Sequence, residues 1–204
     1  MTRRITLLLA GLAAPALAPV ATAQAPITGS YLVQLRLDTR AGSAVFLADL
    51  TGHLAVLLRG ETNGQSGYRE LNSTLGARWS GRHATLVFGA EAGLSSDGSF
   101  GGILVWPTVR AGRATATMFA TVQSPLQGRG AVSFGGESRV LVQGGTRWRV
   151  GAYYTRSQAG RRVASYGGGP AVQLLMGRWG FTVDGVAATR RRARELRASL
   201  RFVW

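Results

Sequence analysis

From Tyr31 to Trp204 the chain repeats one pattern: apolar residues at every second position, in blocks of about ten, separated by turns that contain glycine. YLVQLRLD sets Tyr31, Val33, Leu35 and Leu37 against Gln34, Arg36 and Asp38. HATLVFGAE sets Ala84, Leu86, Phe88 and Ala90 against Thr85, Val87, Gly89 and Glu91, and RWRVGAYY sets Trp148, Val150, Ala152 and Tyr154 against Arg147, Arg149, Gly151 and Tyr153. No long segment follows the 3.6-residue period of an amphipathic helix, and no apolar run after Gln24 is long enough for a membrane helix. If this chain crosses a membrane, it does so with strands, and strands in lipid must close on themselves because an unpaired backbone edge there is too costly.

Reading every block this way predicts twelve strands, at 30–38, 44–51, 53–61, 69–79, 82–91, 99–109, 113–122, 129–142, 147–156, 162–176, 178–188 and 195–204. Ten strands follow instead if two of the shorter blocks merge. The connections alternate between a tight set (TGH, SGR, RAGR, QGGT, GRW) and a mostly longer set (TRAGS, TNGQSG, AGLSSDGS, QSPLQG, SQAGR, ATRRRARE). Short turns at one end and longer loops at the other are the pattern of an outer-membrane barrel, whose short side faces the periplasm. A soluble β-sandwich also alternates, but its outer face carries scattered lysine, glutamate and aspartate. Here the polar face is rich in Gly, Thr, Ser and Arg, and the whole chain has 9 acidic residues. The predicted fold is therefore all-β: a transmembrane antiparallel up-and-down β-barrel.

The first residues, MTRRITLLLAGLAAPALAPVATAQA, have a basic start, a short apolar run and the small residues Ala21 and Ala23 before Gln24. That is the layout of a cleaved secretory signal peptide. The expected organisation is a signal peptide over residues 1–23 and one barrel domain over 24–204. The chain has no cysteine, so an exported domain of this kind does without disulfides. Its formal charge is +15, carried by 24 basic residues. All of them are arginine. Nucleic acid is excluded as a partner by export, which leaves lipid phosphates and small anionic solutes as the partners such a charge suits.

The chain closes on LRASLRFVW, with Leu196, Ala198, Leu200, Phe202 and Trp204 on one parity and Arg197, Ser199 and Arg201 on the other. Alternate apolar residues ending in an aromatic resemble the C-terminal signal strand of Gram-negative outer-membrane β-barrel proteins. The resemblance implies bacterial outer-membrane localisation and a barrel assembly machinery that reads Leu200, Phe202 and Trp204. With both chain ends of the barrel in the periplasm, Trp79, Trp106, Trp148, Trp179 and Trp204 fall at the periplasmic ends of their strands, where indole rings form an interfacial girdle. Outer-membrane lipids and lipopolysaccharide are then the surroundings of the barrel.

Parity points Arg36, Arg59, Arg78, Arg139, Arg147, Arg149, Arg178, Arg197 and Arg201 into the lumen, together with Asp38, Glu61, Glu91, Glu137 and Asp184. More arginine than acid predicts a net positive interior. Twelve strands lie between the side-chain-filled eight-stranded barrel and the wide sixteen-stranded porin. A narrow positive pore favours anions, so the expected function is passive passage of small anionic solutes. In outline this is similar to the twelve-stranded anion-selective porins for acidic oligosaccharides. The alternative is a non-conducting structural or interaction barrel, its arginines paired across a plugged lumen, that binds envelope components through its outer loops. TRRRARE at 189–195 is such a loop, with guanidinium groups suited to phosphate.

Catalysis is not expected. His53 and His83 are the only histidines, and both lie beside the tight turns TGH and SGR. Lipid-modifying barrels that resemble this architecture use a His–Ser pair toward the outer leaflet, so these histidines are at the wrong end for that chemistry. The remaining motifs carry no site: Ser95-Ser96-Asp97-Gly98 reads as Asp-Gly turn chemistry, and the glycine-rich runs do not open helices as a phosphate loop must. No metal ligand set and no cofactor motif is present.

Overall fold

The computed structural model describes residues 28–36, 41–50, 53–63, 67–127, 131–161, 163–188 and 194–203. The segment expected to be a signal peptide lies outside them. Twelve strands run in chain order: β1 (Thr28–Arg36), β2 (Ala41–Asp49), β3 (Leu54–Asn63), β4 (Tyr68–Ser80), β5 (Ala84–Ser95), β6 (Gly98–Ala111), β7 (Ala114–Pro125), β8 (Ser133–Gln143), β9 (Trp148–Ala159), β10 (Ser165–Met176), β11 (Trp179–Ala188) and β12 (Arg194–Val203). Each pairs antiparallel with its neighbours in sequence, and β12 returns to β1, so the sheet is a closed barrel. The closing register sets Tyr31 opposite Phe202 and Gln34 opposite Ser199. Closure gives every strand two partners and leaves no edge.

The two rims differ. At one, β6 and β7 are joined through Gly112, whose φ of +55° is a left-handed conformation that suits glycine, and β10 and β11 are joined likewise through Gly177. At the other rim the connections are mostly longer, up to residues 126–132. One of them departs from the sequence expectation. AGLSSDGS is no long loop: β5 continues to Ser95 and β6 begins at Gly98. The Ser95 hydroxyl closes this turn, accepting from the Asp97 amide at 3.2 Å and donating to the Gly98 carbonyl at 3.1 Å. Local turn chemistry won over loop length.

Antiparallel partners share a face, so the register assigns every side chain to the outside or the inside. The outside carries large exposed apolar groups all round the barrel, among them Leu58, Leu75, Phe88, Ile103, Met118, Val140, Val172, Phe181 and Leu200. A continuous apolar exterior of this kind is stable against lipid and not against water.

Trp79, Trp148 and Trp179 are on this outer face, at the tight-turn rim. Turn glycines make room for the rings. A Cβ on Gly144 would stand 2.5 Å from the Trp148 indole, and one on Gly81 would stand 2.8 Å from that of Trp79. Trp179 packs on Phe202, ring centroids 4.6 Å apart. Trp204 lies outside the described residues. Trp106 corrects the sequence reading: it pairs with the inward Val87, faces the lumen, and meets Phe119 edge-on at 5.6 Å. Its strand is apolar on both faces, with Phe100, Leu104 and Trp106 inward and Ile103, Val105 and Val109 outward, so alternation alone does not tell one side from the other.

Candidate functional site: the barrel interior

Inward side chains sort into three groups. On β2, β3, β5 and β6 the residues Val45, Leu47, Ala55, Leu57, Val87 and Leu104 form a buried apolar cluster, with Trp106 and Phe119 against it. Leu57 and Leu104 are 1% and 0% exposed. A porin lumen is ordinarily polar. Here one side of the interior is packed like a protein core.

Beside that cluster, toward the long-loop rim, lies the first charged group. Arg59 donates to Glu70 at 2.5 Å and stands 3.9 Å from Glu91. Gln123, reaching over from β7, donates to Glu91 at 2.6 Å and to Glu70 at 3.3 Å, and Asn72 and Tyr68 also donate to Glu70. The guanidinium of Arg59 sits over the Phe119 ring, 5.5 Å from its centroid. Thus a charged network caps the apolar cluster: Glu70 has several donors to replace the water it loses, while Glu91 has Gln123 on one oxygen and its other oxygen is buried without a hydrogen bond among the described residues. Above it, at the long-loop rim, Tyr68, Phe100, Gln123 and Ser133 line a cavity of about 240 Å³.

The second charged group reaches between strands that are not neighbours. Arg139 on β8 grips Asp184 on β11, with Nε 3.0 and 3.1 Å from the two carboxylate oxygens and Nη2 2.5 Å from one of them. Arg197 on β12 donates to Glu137 on β8 at 2.8 Å, to Glu195 at 3.0 Å and to the Tyr153 hydroxyl. Both guanidinium groups stand 5.0 Å from the Tyr153 ring centroid. Asp184 is fully buried, Tyr153 is 2% exposed and Arg197 4%. These contacts bind strands that are far apart along the sheet, which backbone pairing alone does not do.

The third group lies at the tight-turn rim. Arg78, Arg110, Arg149 and Arg201 project inward from β4, β6, β9 and β12. The carboxylate that pairs with a member of this ring is Asp49, bound by Arg78. Arg149 makes a long contact of 3.4 Å to Gln173. Arg201 sits in the combined field of Arg110, Arg149 and Arg78. It is exposed to solvent although it faces inward, and Arg110 is exposed too. Solvent therefore reaches this inner rim.

Several sequence expectations change here. Arg147 and Arg178 are in the turns before β9 and β11, at the rim and not along the wall. Arg36 occupies the register position opposite Arg197, and Asp38 lies outside the described residues. Inward parity also collects Asp49, Glu70, Glu195 and Arg110, which the sequence reading left out. The signal was available: Glu70 shares the parity of Arg78, and Glu195 that of Arg197. Counting them brings the inward acids close in number to the inward arginines, where the sequence reading expected a clear excess of arginine. Among the described strand residues, register at the middle and long-loop levels sets Glu61, Glu70, Glu91, Glu137, Asp184 and Glu195 against Arg36, Arg59, Arg139 and Arg197, so excess positive charge belongs to the tight-turn rim alone.

His53 and His83 are at that same rim, in separate turns, their carbonyls each accepting at 2.7 Å from the amides of Arg78 and Arg110. Among the described residues no group of three or more His, Cys, Asp or Glu side chains is placed to hold a metal.

A closed antiparallel barrel with a lipid-compatible exterior and a charged interior defines the class, and comparison with solved structures gives its particular form. The chain is similar to the KdgM porin, with a TM-score of 0.62 and 6% identity over 87% of this chain and 99% of that one. It is similar to the same porin in complex with disordered oligogalacturonate, with a TM-score of 0.62 and 7% identity. It is also similar to the NanC porin, with a TM-score of 0.61 and 8% identity over 85% and 97% of the two chains. No family model and no curated protein sequence matches the chain. The fold is thus that of outer-membrane β-barrel porins, shared at identities that carry no residue across.

Proposed function

We propose that the chain is a narrow passive channel for small anionic solutes in the bacterial outer membrane, with the tight-turn rim in the periplasm. The observation that carries this reading is the arginine ring: Arg78, Arg110, Arg149 and Arg201 crowd the inner tight-turn rim, Arg110 and Arg201 exposed to solvent, with Asp49 paired to Arg78. Like charges crowded in a confined lumen draw counter-ions and repel cations more strongly than in bulk water. The other levels are near neutral or acidic and paired, so selection falls to this ring. The complex of the KdgM porin with oligogalacturonate supports carboxylated saccharides as the first solutes to try. Single-channel recording on the purified barrel tests the reading: discrete conductance with chloride preferred over potassium is expected, and silence or cation preference refutes it.

A second reading has its own observation. Leu104, Asp184, Leu57 and Tyr153 are almost wholly inaccessible to water, as in a filled interior. A barrel sealed at this level would be a structural or interaction element that meets lipopolysaccharide through loops such as TRRRARE, which lies largely outside the described residues. Absence of conductance under every applied voltage would favour it.

Both readings share export by a signal peptide over 1–23, a barrel domain over 24–204, and insertion guided by the last strand. Leu200 faces outward and Phe202 packs on Trp179, an apolar surface suited to recognition by the assembly machinery. Removing Phe202, Val203 and Trp204 is expected to abolish most heat-modifiable folded barrel in membranes, and undiminished assembly would refute that role.

A further inference from the structure

One arginine on the outer wall is set apart by its surroundings. Register places Arg156 of β9 opposite Tyr166 and Gly136, both outward, so its side chain projects from the lipid-facing surface. It is exposed, and among the described residues its polar side-chain partner is Gln158, at 3.5 Å. Its charge is cradled by rings instead: 5.3 Å from the Phe134 centroid and 5.5 Å from that of Tyr166. Tyr154 extends the aromatic surface, 6.4 Å from Tyr166. The Phe134 ring leans across Gly136, 3.5 Å from where a Cβ would stand, an ordinary packing distance.

The height of the cradle follows from strand geometry. Arg156 is eight residues beyond the girdle residue Trp148 on the same strand. At about 3.4 Å per residue and a tilt near 40°, that is roughly 20 Å along the membrane normal, close to the top of an apolar band about 25 Å tall. A guanidinium at that level reaches the headgroup zone by extending its stem. The neighbouring outward positions, Phe134, Gly136, Ser138, Tyr154, Gln158, Tyr166 and Gly168, hold no carboxylate. Positive charge, planar donors and flanking tyrosine rings at this level match one kind of group.

We infer that Arg156, held by Phe134 and Tyr166, is a docking site on the barrel wall for the phosphate of an outer-leaflet glycolipid headgroup, its acyl chains lying along Tyr154, Val172 and the apolar surface below. The inference rests on the membrane orientation given above and not on conduction. Arg156 is outside the lumen, so its substitution leaves conductance unchanged.

Native mass spectrometry of the intact barrel released from detergent supplies the test, with bisphosphorylated lipid A, fully dephosphorylated lipid A and phosphatidylglycerol as probes. Wild type is expected to retain bisphosphorylated lipid A about tenfold better than the dephosphorylated form, and Arg156→Gln to lose that preference. Tyr166→Leu should weaken it partly. Arg69→Gln removes an exposed outward arginine on β4 that has no ring contact among the described residues, and is expected to keep the preference. Heat-modifiable migration on gels confirms that each variant is folded. Equal retention of the two lipid A forms by wild type, an unchanged preference in Arg156→Gln, or an equal loss in Arg69→Gln would each overturn the site. Equal, Arg156-dependent retention of phosphatidylglycerol would overturn its assignment to a glycolipid. Inorganic phosphate at millimolar concentration is expected to leave lipid retention intact, and displacement by it would overturn a lipid-bound headgroup as the ligand.

Discussion

The middle of the lumen and its tight-turn rim use the same residue, arginine, in opposite ways. In the middle, Arg197 is buried and Arg59 and Arg139 are partly buried against carboxylates, tyrosine and phenylalanine, and their charge is consumed in holding strands together. At the rim, Arg110, Arg149 and Arg201 have no carboxylate partner among the described residues and face solvent or one another. A count of arginines therefore says little about a pore. What matters is the level at which each one lacks an acid.

That contrast makes its boldest claim at Asp184. Asp184→Ala leaves the Arg139 guanidinium without its bidentate partner in a buried site, and the loss of one member of such a pair costs about 3–5 kcal/mol. Urea titration of the barrel folded into liposomes should show a drop of that order. Leu104→Ala comes next. It empties a fully buried position in the apolar cluster, at a cost of about 2–5 kcal/mol, and should raise single-channel conductance if that cluster narrows the passage. A large rise in conductance from Asp184→Ala with none from Leu104→Ala would move the constriction to the other wall.

The rim should behave differently. Joint replacement of Arg110, Arg149 and Arg201 by glutamine is expected to change stability by less than about 1 kcal/mol, because no carboxylate is left unpaired, while abolishing anion preference. Destabilisation as severe as that of Asp184→Ala would erase the distinction between the two levels. The smallest effect is expected from Gly144→Ala, whose Cβ would stand 2.5 Å from the Trp148 indole. The ring must turn aside, so tryptophan emission should shift while stability falls by no more than about 1 kcal/mol.

Legibility in the sequence followed the range of the interactions. The strands were readable because period-two alternation is local and is enforced at each block by lipid outside and polar groups inside. Where both faces are apolar, as from Phe100 to Val109, the pattern loses its direction and Trp106 was assigned to the wrong side. Parity also contained more than was taken from it: Asp49, Glu70 and Glu195 share faces with recognised inward residues, and leaving them out makes the lumen look more positive than it is. Partner choice was not readable at all. Arg139 meets Asp184, and Arg197 meets Glu137, only because closure brings β8 within reach of β11 and β12, and no local pattern encodes that distance. The outward Arg156 shows the converse, an exception to the alternation that becomes meaningful once its height on the wall is known.

The central claim is that unpaired arginines at the tight-turn rim make this barrel an anion channel. Reversal potential across a planar bilayer holding the wild-type protein in a potassium chloride gradient tests it most directly. The account predicts a potential of the sign set by chloride, collapsing toward zero when Arg110, Arg149 and Arg201 are replaced by glutamine. A potential of the sign set by potassium, or a chloride potential that survives the triple replacement, would contradict it.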